Sequence, residues 1–171
     1  QSQTIKEICD YNWKDLTIER LPEIPNFTLL VGWTGQVAIT DSLIQATEKK
    51  RKVETDSAFY KEFLKKSHAI VQGLQTAWNK QDIPALQEGI RANRALLNEF
   101  AKVMQLGIET PALQTLCDLA EKSGACAKTS GAGGGDCGIC FTQNETQRQQ
   151  IETQWAKAQI QVLPLTIAEA W

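Results

Sequence analysis

Residues 126–138 read Cys-Ala-Lys-Thr-Ser-Gly-Ala-Gly-Gly-Gly-Asp-Cys-Gly and hold five of the chain's eleven glycines. With few β-carbons between backbone and ligand, the N–H groups of such a run can converge on one anion. Lys128 and Ser130 stand at its entrance and add a positive charge and a hydroxyl, and Asp136 stands at its exit. This is the chemistry of close approach to phosphate. Glycine clusters are more often flexible turns or linkers. This one is wedged between a helical pattern over 111–123 and the apolar run Cys137-Gly138-Ile139-Cys140-Phe141, which favours a tight functional loop. No lysine follows the glycines, so the Gly-x-x-x-x-Gly-Lys-Ser/Thr phosphate loop does not fit. Gly133-Gly134-Gly135-Asp136-Cys137-Gly138 formally matches G-x-G-x-x-G. That pattern should open a helix, however, whereas a strand-like segment follows here, and Asp136 would repel a pyrophosphate.

The run from Lys128 to Gly138 closely resembles the third conserved motif of the GHMP kinases, in the form most similar to the bacterial phosphomevalonate kinase family. Leu30-Val31-Gly32-Trp33-Thr34-Gly35-Gln36-Val37-Ala38, followed by Thr40-Asp41-Ser42, resembles the strand and turn that begin the C-terminal half of those enzymes. Asp10-Tyr11-Asn12-Trp13, leading into Leu16-Thr17-Ile18, is similar too. The resemblance covers essentially the whole chain. It implies transfer of the γ-phosphoryl group of ATP, with Mg2+, onto phosphomevalonate. It also implies a ligand site at Lys128, Ser130, Gly131, Ala132, Gly133, Gly134, Gly135 and Asp136, with hydroxyls from Thr40 and Ser42.

For Lys128 the alternative is a surface lysine beside the loop. For Thr40 and Ser42 it is helix N-capping. Asp136 either caps the loop by accepting backbone N–H bonds or binds magnesium, the first being favoured. The family's Pro-x-x-x-Gly-Leu-Gly-Ser-Ser motif is not found here, and the chain starts Gln1-Ser2-Gln3. The expectation is therefore a C-terminal portion, with residues 1–26 a segment continuing from an N-terminal half and 27–171 the C-terminal domain. The catalytic Asp is expected upstream of Gln1, and no metal ligand is assigned. Expected partners are ATP, phosphomevalonate and the N-terminal half, with a homodimer compatible. Another GHMP kinase such as mevalonate kinase, a non-catalytic anion-binding module and an interaction domain stay open as alternatives.

Composition agrees with a folded domain. The 171 residues are 42% hydrophobic and 22% charged, enough for one core. A net charge of −2 gives no reason to expect nucleic acid or an anionic membrane, and no apolar run approaches the ~20 residues that span a bilayer. Cys9, Cys117, Cys126, Cys137 and Cys140 are odd in number and irregular in spacing, which argues against a disulfide framework. Cys137 and Cys140 on one strand would face opposite sides, against joint metal binding. Reduced, buried thiols in a cytoplasmic protein are expected.

The elements that must hold the loop follow from spacing. Leu16–Ile18 and Phe27–Val31 read as strands separated by Pro22 and Pro25, the second ending at Gly32. A short helix is expected from Asp41 to about Lys50, the basic run Lys49–Lys52 being its solvated end. Phe59, Phe63, Ile70, Leu74 and Trp78 share one helical face, with His68 at the surface. Ile83, Leu86, Ile90, Leu97 and Met104 form a second stripe, capped by Asp82 and stopped by Gly107. Thr110-Pro111 opens a third helix that Gly124 ends. Cys137–Phe141 reads as a strand, Asn144 caps a helix carrying Ile151, Trp155 and Ala158, and Ile160–Leu165 reads as an edge strand with Pro164. The sum is an α+β fold: an antiparallel sheet with helices on one face, ferredoxin-like. The resemblance implies the same GHMP kinase C-terminal domain.

Overall fold

β-branched and apolar residues at Thr28–Trp33 make strand β1, the centre of the sheet. Three helices follow: α1 (Ala58–Asn79), α2 (Ile83–Met104) and α3 (Pro111–Lys122). Then come β2 (Cys126–Thr129), β3 (Cys137–Thr142), α4 (Glu145–Lys157) and β4 (Gln161–Leu163). This computed structural model describes residues 5–6, 18–35, 58–131 and 133–165. The expected helix over 41–50 and the basic run 49–52 lie outside them, as do Leu16 and Thr17. Ile18 is exposed and joins no strand.

The sheet order is β2-β3-β1-β4 with antiparallel neighbours. β1 pairs with β3 from Thr28↔Thr142 to Trp33↔Cys137. β4 covers only the far end of β1, from Val31↔Leu163 to Trp33↔Gln161. It stops before Pro164, which has no N–H to give to a ladder. β2 was not foreseen as a strand, because Cys126–Thr129 reads as the start of the glycine run. It pairs with β3 from Cys126↔Phe141 to Thr129↔Gly138 and turns Ala127 and Thr129 inward.

The main core lies on one face. Leu30, Ala127 and Cys140 of the sheet meet Leu116, Cys117 and Ala120 of α3 and Ile151 and Trp155 of α4. β1 does not end at Gly32 as expected but runs through it. Gly32 faces Gly138 across the ladder, and a β-carbon on Gly32 would lie 2.8 Å from Trp155 and 2.9 Å from Leu116. One on Gly138 would lie 2.6 Å from Leu116. The two glycines thus make a flat floor for Leu116, and Gly32 also for the fully buried Trp155, whose indole N–H donates to Leu116 O at 3.0 Å. That bond satisfies the indole donor where no water reaches it.

On the opposite face Phe27 stacks on Phe141 at 4.9 Å between centroids, and Trp78 of α1 meets both rings edge-on. α2 lies alongside β2, with Gln87 donating to Gly124 O and Arg91 to Ala125 O. Its buried residues are Leu86, Ile90, Leu96, Phe100, Ala101 and Met104. Leu97 is only half-buried, because the buried face shifts to Leu96 and Phe100 where α2 receives Phe59 and Phe63 of α1.

Asp82, Thr110 and Asn144 cap their helices by accepting the N–H of Ala85, Leu113 and Gln147. α2 ends at Gln105 in the left-handed region, ahead of the expected Gly107. His68 is exposed, as expected. Among the described residues no helix is long and apolar enough to cross a membrane.

Gly32→Ala should lose about 1–3 kcal/mol of unfolding free energy through overpacking. Gly73→Ala, on an exposed stretch of α1 where a β-carbon meets nothing within 4 Å, should gain about 0.5–1 kcal/mol. Denaturant titration of the two variants checks both signs.

Candidate functional site: the glycine loop between β2 and β3

β2 and β3 form a hairpin, and the glycine run is its loop, residues 130–136. Ser130 N–H donates to Cys137 O at 2.9 Å and closes the base. Gly131, Gly133, Gly134, Gly135 and Asp136 all have positive φ, from 63° to 135°. This region is costly for most L-residues and open to glycine, and the loop's shape therefore explains its composition. Gly133 has a second reason: its β-carbon would fall inside contact distance of Ile108 O and 2.7 Å from the Ile108 side chain. Gly134 N–H donates to the same Ile108 carbonyl at 2.8 Å. The connection between α2 and α3 is thus a floor on which the loop rests.

The exit is fixed from another direction. Asp136 O accepts both the N–H and the hydroxyl of Thr34, each at 2.9 Å. The positive φ of Asp136, tolerable for Asp, accompanies this double acceptance. The turn after β1 and the glycine loop, separate in sequence, are therefore hydrogen-bonded neighbours. Thr34 and Ile108 are the two loop anchors that sequence reasoning missed. Thr34 lies in the Gly32-Trp33-Thr34-Gly35 turn, whereas Ile108, an apolar residue in a connection, carries no local signal.

Seven of the expected ligand residues lie among the described ones. Lys128 is half-buried on β2, its ammonium donating to Thr129 O at 2.8 Å at the loop entrance. Burial pulls it below the ordinary lysine range. The Ser130 and Gly134 N–H groups are engaged inside the protein, so Ser130 offers a ligand its hydroxyl. Gly131 is exposed, and a β-carbon there meets nothing within 4 Å. Gly133 and Gly135 are buried and Gly134 is half-buried. The Asp136 side chain is exposed and accepts the Cys137 thiol at 3.8 Å. The tie to Thr34 at the loop exit is made by its main-chain carbonyl. Ala132, Thr40 and Ser42 lie outside the described residues.

The cysteines near the sheet are free thiols. Burial pushes Cys117 up to about 12 and Cys126 up to about 11, and it raises Cys140 as well. Burial, then Asp136, raises Cys137. A thiol held above the ordinary range is a poor nucleophile. Chemically, then, the described part of the loop offers glycine backbone with one hydroxyl and one half-buried ammonium, a composition suited to phosphate oxygens.

Gly133→Ala combines left-handed strain with a clash and should lose about 2–4 kcal/mol of stability. Gly131→Ala carries the strain alone and should lose about 1 kcal/mol. Chemical denaturation separates them. For Lys128, burial penalises the charged folded state at neutral pH, and the penalty fades as pH rises through the unfolded lysine value near 10.4. Wild type should therefore gain stability relative to Lys128→Met as pH rises towards about 10.4, as followed by urea unfolding at each pH.

Comparison with known proteins agrees with this fold. The family of GHMP kinases C terminal matches residues 70–161. The chain is 39% identical over 158 residues to the phosphomevalonate kinase of Streptomyces sp. (strain CL190), covering 91% of this chain and 42% of that protein. It superposes on the Lin0012 protein of Listeria innocua with a TM-score of 0.84 at 33% identity, covering 95% of this chain and 45% of the other. Against the phosphomevalonate kinase of Streptococcus pneumoniae, solved with phosphomevalonate and AMPPNP, the TM-score is 0.68 at 30% identity, covering 79% and 37%. The chain spans less than half the length of each of these relatives. With the antiparallel sheet, its helical layer and the glycine loop in place, the chain belongs to the GHMP kinases as a C-terminal portion of that family.

Proposed function

We propose that this chain is the C-terminal part of an ATP-dependent phosphomevalonate kinase of the mevalonate route to isoprenoids. The observation that carries the reading is the glycine loop held at three points, by the Ser130–Cys137 closure, by Ile108 and by Thr34. The 39% identity over 91% of the chain to a phosphomevalonate kinase supports the choice of acceptor. In the reaction a phosphate oxygen of phosphomevalonate attacks the γ-phosphorus of ATP. The bond to the ADP oxygen breaks, and diphosphomevalonate and ADP result.

Such a transfer needs positioning and charge neutralisation more than covalent help from the protein. The loop backbone and the Ser130 hydroxyl hold phosphate oxygens, Gly133 and Gly135 keep the backbone close, and Lys128 offsets charge. Thr40 and Ser42 are proposed to add hydroxyls to the acceptor. Mg2+ accompanies ATP, and no residue of this chain is assigned to it. The catalytic Asp and the main ATP-phosphate motif belong to an N-terminal half, with residues 1–26 leading from it into a C-terminal domain over 27–171. The buried, protonated thiols support a cytoplasmic setting.

ADP release by the full-length protein with Mg-ATP tests the reading, comparing phosphomevalonate, mevalonate and no acceptor. Turnover selective for phosphomevalonate is expected. Gly133→Val in that protein should lower kcat/KM by about 10²-fold or more, the loss of a few kcal/mol in transition-state stabilisation. Residues 1–171 alone should show no ATP-dependent turnover. Selective turnover with mevalonate, or none with any acceptor in a folded protein, would replace the proposal.

A further inference from the structure

The glycine loop leans on Ile108 O, and the residue that follows Ile108 belongs to a charged cluster centred on Arg94. Arg94 of α2 grips the Glu109 carboxylate with both arms of its guanidinium, Nε donating to Oε2 at 2.9 Å and NH2 to Oε1. Asn98, one turn along, donates to Oε2 at 2.9 Å. Arg94 also reaches α3, donating to Asp118 at 2.8 Å and Glu121 at 2.9 Å. The side chains of Arg94 and Glu109 are only 13% and 8% exposed, whereas those of Asp118 and Glu121 are 46% and 33% exposed.

A charge pair this deep is weak evidence of stabilisation, since desolvation offsets much of the attraction. What a two-pronged guanidinium–carboxylate contact does supply is fixed geometry. Here the geometry that it fixes is the backbone at 108–109, the surface that Gly133 touches and Gly134 donates to.

We propose that Arg94, acting through Glu109, is a positioning residue for the glycine loop. Its bidentate grip sets the Ile108 carbonyl, and that carbonyl sets the height and tilt of Gly133-Gly134. The two outer carboxylates hold the guanidinium from the α3 side, so the cluster ties the loop's floor to both helices flanking it. The catalytic consequence rests on the kinase reading above, but the mechanical one does not.

Hydrogen exchange on the full-length protein, read by mass spectrometry over peptides spanning 130–136, decides the mechanical part. Glu109→Ala should speed exchange in that segment about tenfold or more while β1 and β3 stay near wild type. Asp118→Ala removes an outer partner and leaves the Glu109 grip in place. It should change loop exchange less than about twofold even if it lowers the melting temperature. Should Glu109→Ala fail to fold, Glu109→Gln, of the same size, replaces it.

In the same protein Glu109→Ala should lower kcat/KM for phosphomevalonate about tenfold, and Asp118→Ala should leave it close to wild type. If wild type shows no turnover the kinase reading falls, yet exchange still judges the positioning role. The proposal is overturned if loop exchange is unchanged in folded Glu109 variants, if Asp118→Ala speeds it equally, or if acceleration spreads evenly over α2 and α3.

Discussion

Trp155 and Leu116 approach the sheet where it carries no side chains, at the paired Gly32 and Gly138. Everything that holds the loop depends on that approach. It seats α3 and α4 directly on the backbones of β1 and β3, and the Trp155–Leu116 hydrogen bond locks the two helices to each other. Once α3 is seated, the connection that leads into it, with Ile108 at its centre, has a fixed place beside the hairpin. Once β1 and β3 are in register, the turn after Trp33 has a fixed place beside Asp136. Both anchors of the glycine loop are consequences of how closely two helices pack on two glycines.

The loop illustrates a division of labour between conformation and contact. Four glycines take positive φ at little cost, where other residues would each lose on the order of 1–2 kcal/mol. Asp136 takes the same kind of conformation without being glycine, and its carbonyl receives two donors from Thr34. The two N–H groups at Ser130 and Gly134 that hold the loop together are not those that can meet a ligand. Those two N–H groups hold the loop's conformation, and in the proposed function other atoms of the same segment meet the anion, a separation that suits a preorganised site.

Much of this was legible in the residues. Helix starts were readable because Asp82, Thr110-Pro111 and Asn144 have a single local job, satisfying N–H groups that have no helical partner. The glycine run was readable as a close-approach loop because few other segments tolerate so few β-carbons. Strand β2 was hidden, since Cys-Ala-Lys-Thr is too short and too mixed to alternate visibly and became a strand only by pairing with β3. Gly32 looked like a strand end because glycine weakens strands locally, while its real role, making room for Trp155, is a tertiary fact. Arg94 left a trace that only the structure explains: it fills the gap between Ile90 and Leu97 in an otherwise apolar stripe. A charge at such a position needs a partner, and no spacing rule names Glu109.

The bond between Thr34 and Asp136 joins residues 102 positions apart, and β1 takes both of its partners, β3 and β4, from the far end of the chain. The order of assembly follows. α2, α3 and the β2–β3 hairpin close short loops and can associate early, whereas the central strand must wait until the last elements exist. During synthesis β1, destined for the middle of the sheet, is made before both of its partners. The glycine loop gains its exit anchor only when the turn after β1 docks on Asp136. An incompletely folded chain would therefore display the glycine run without the grip that shapes it.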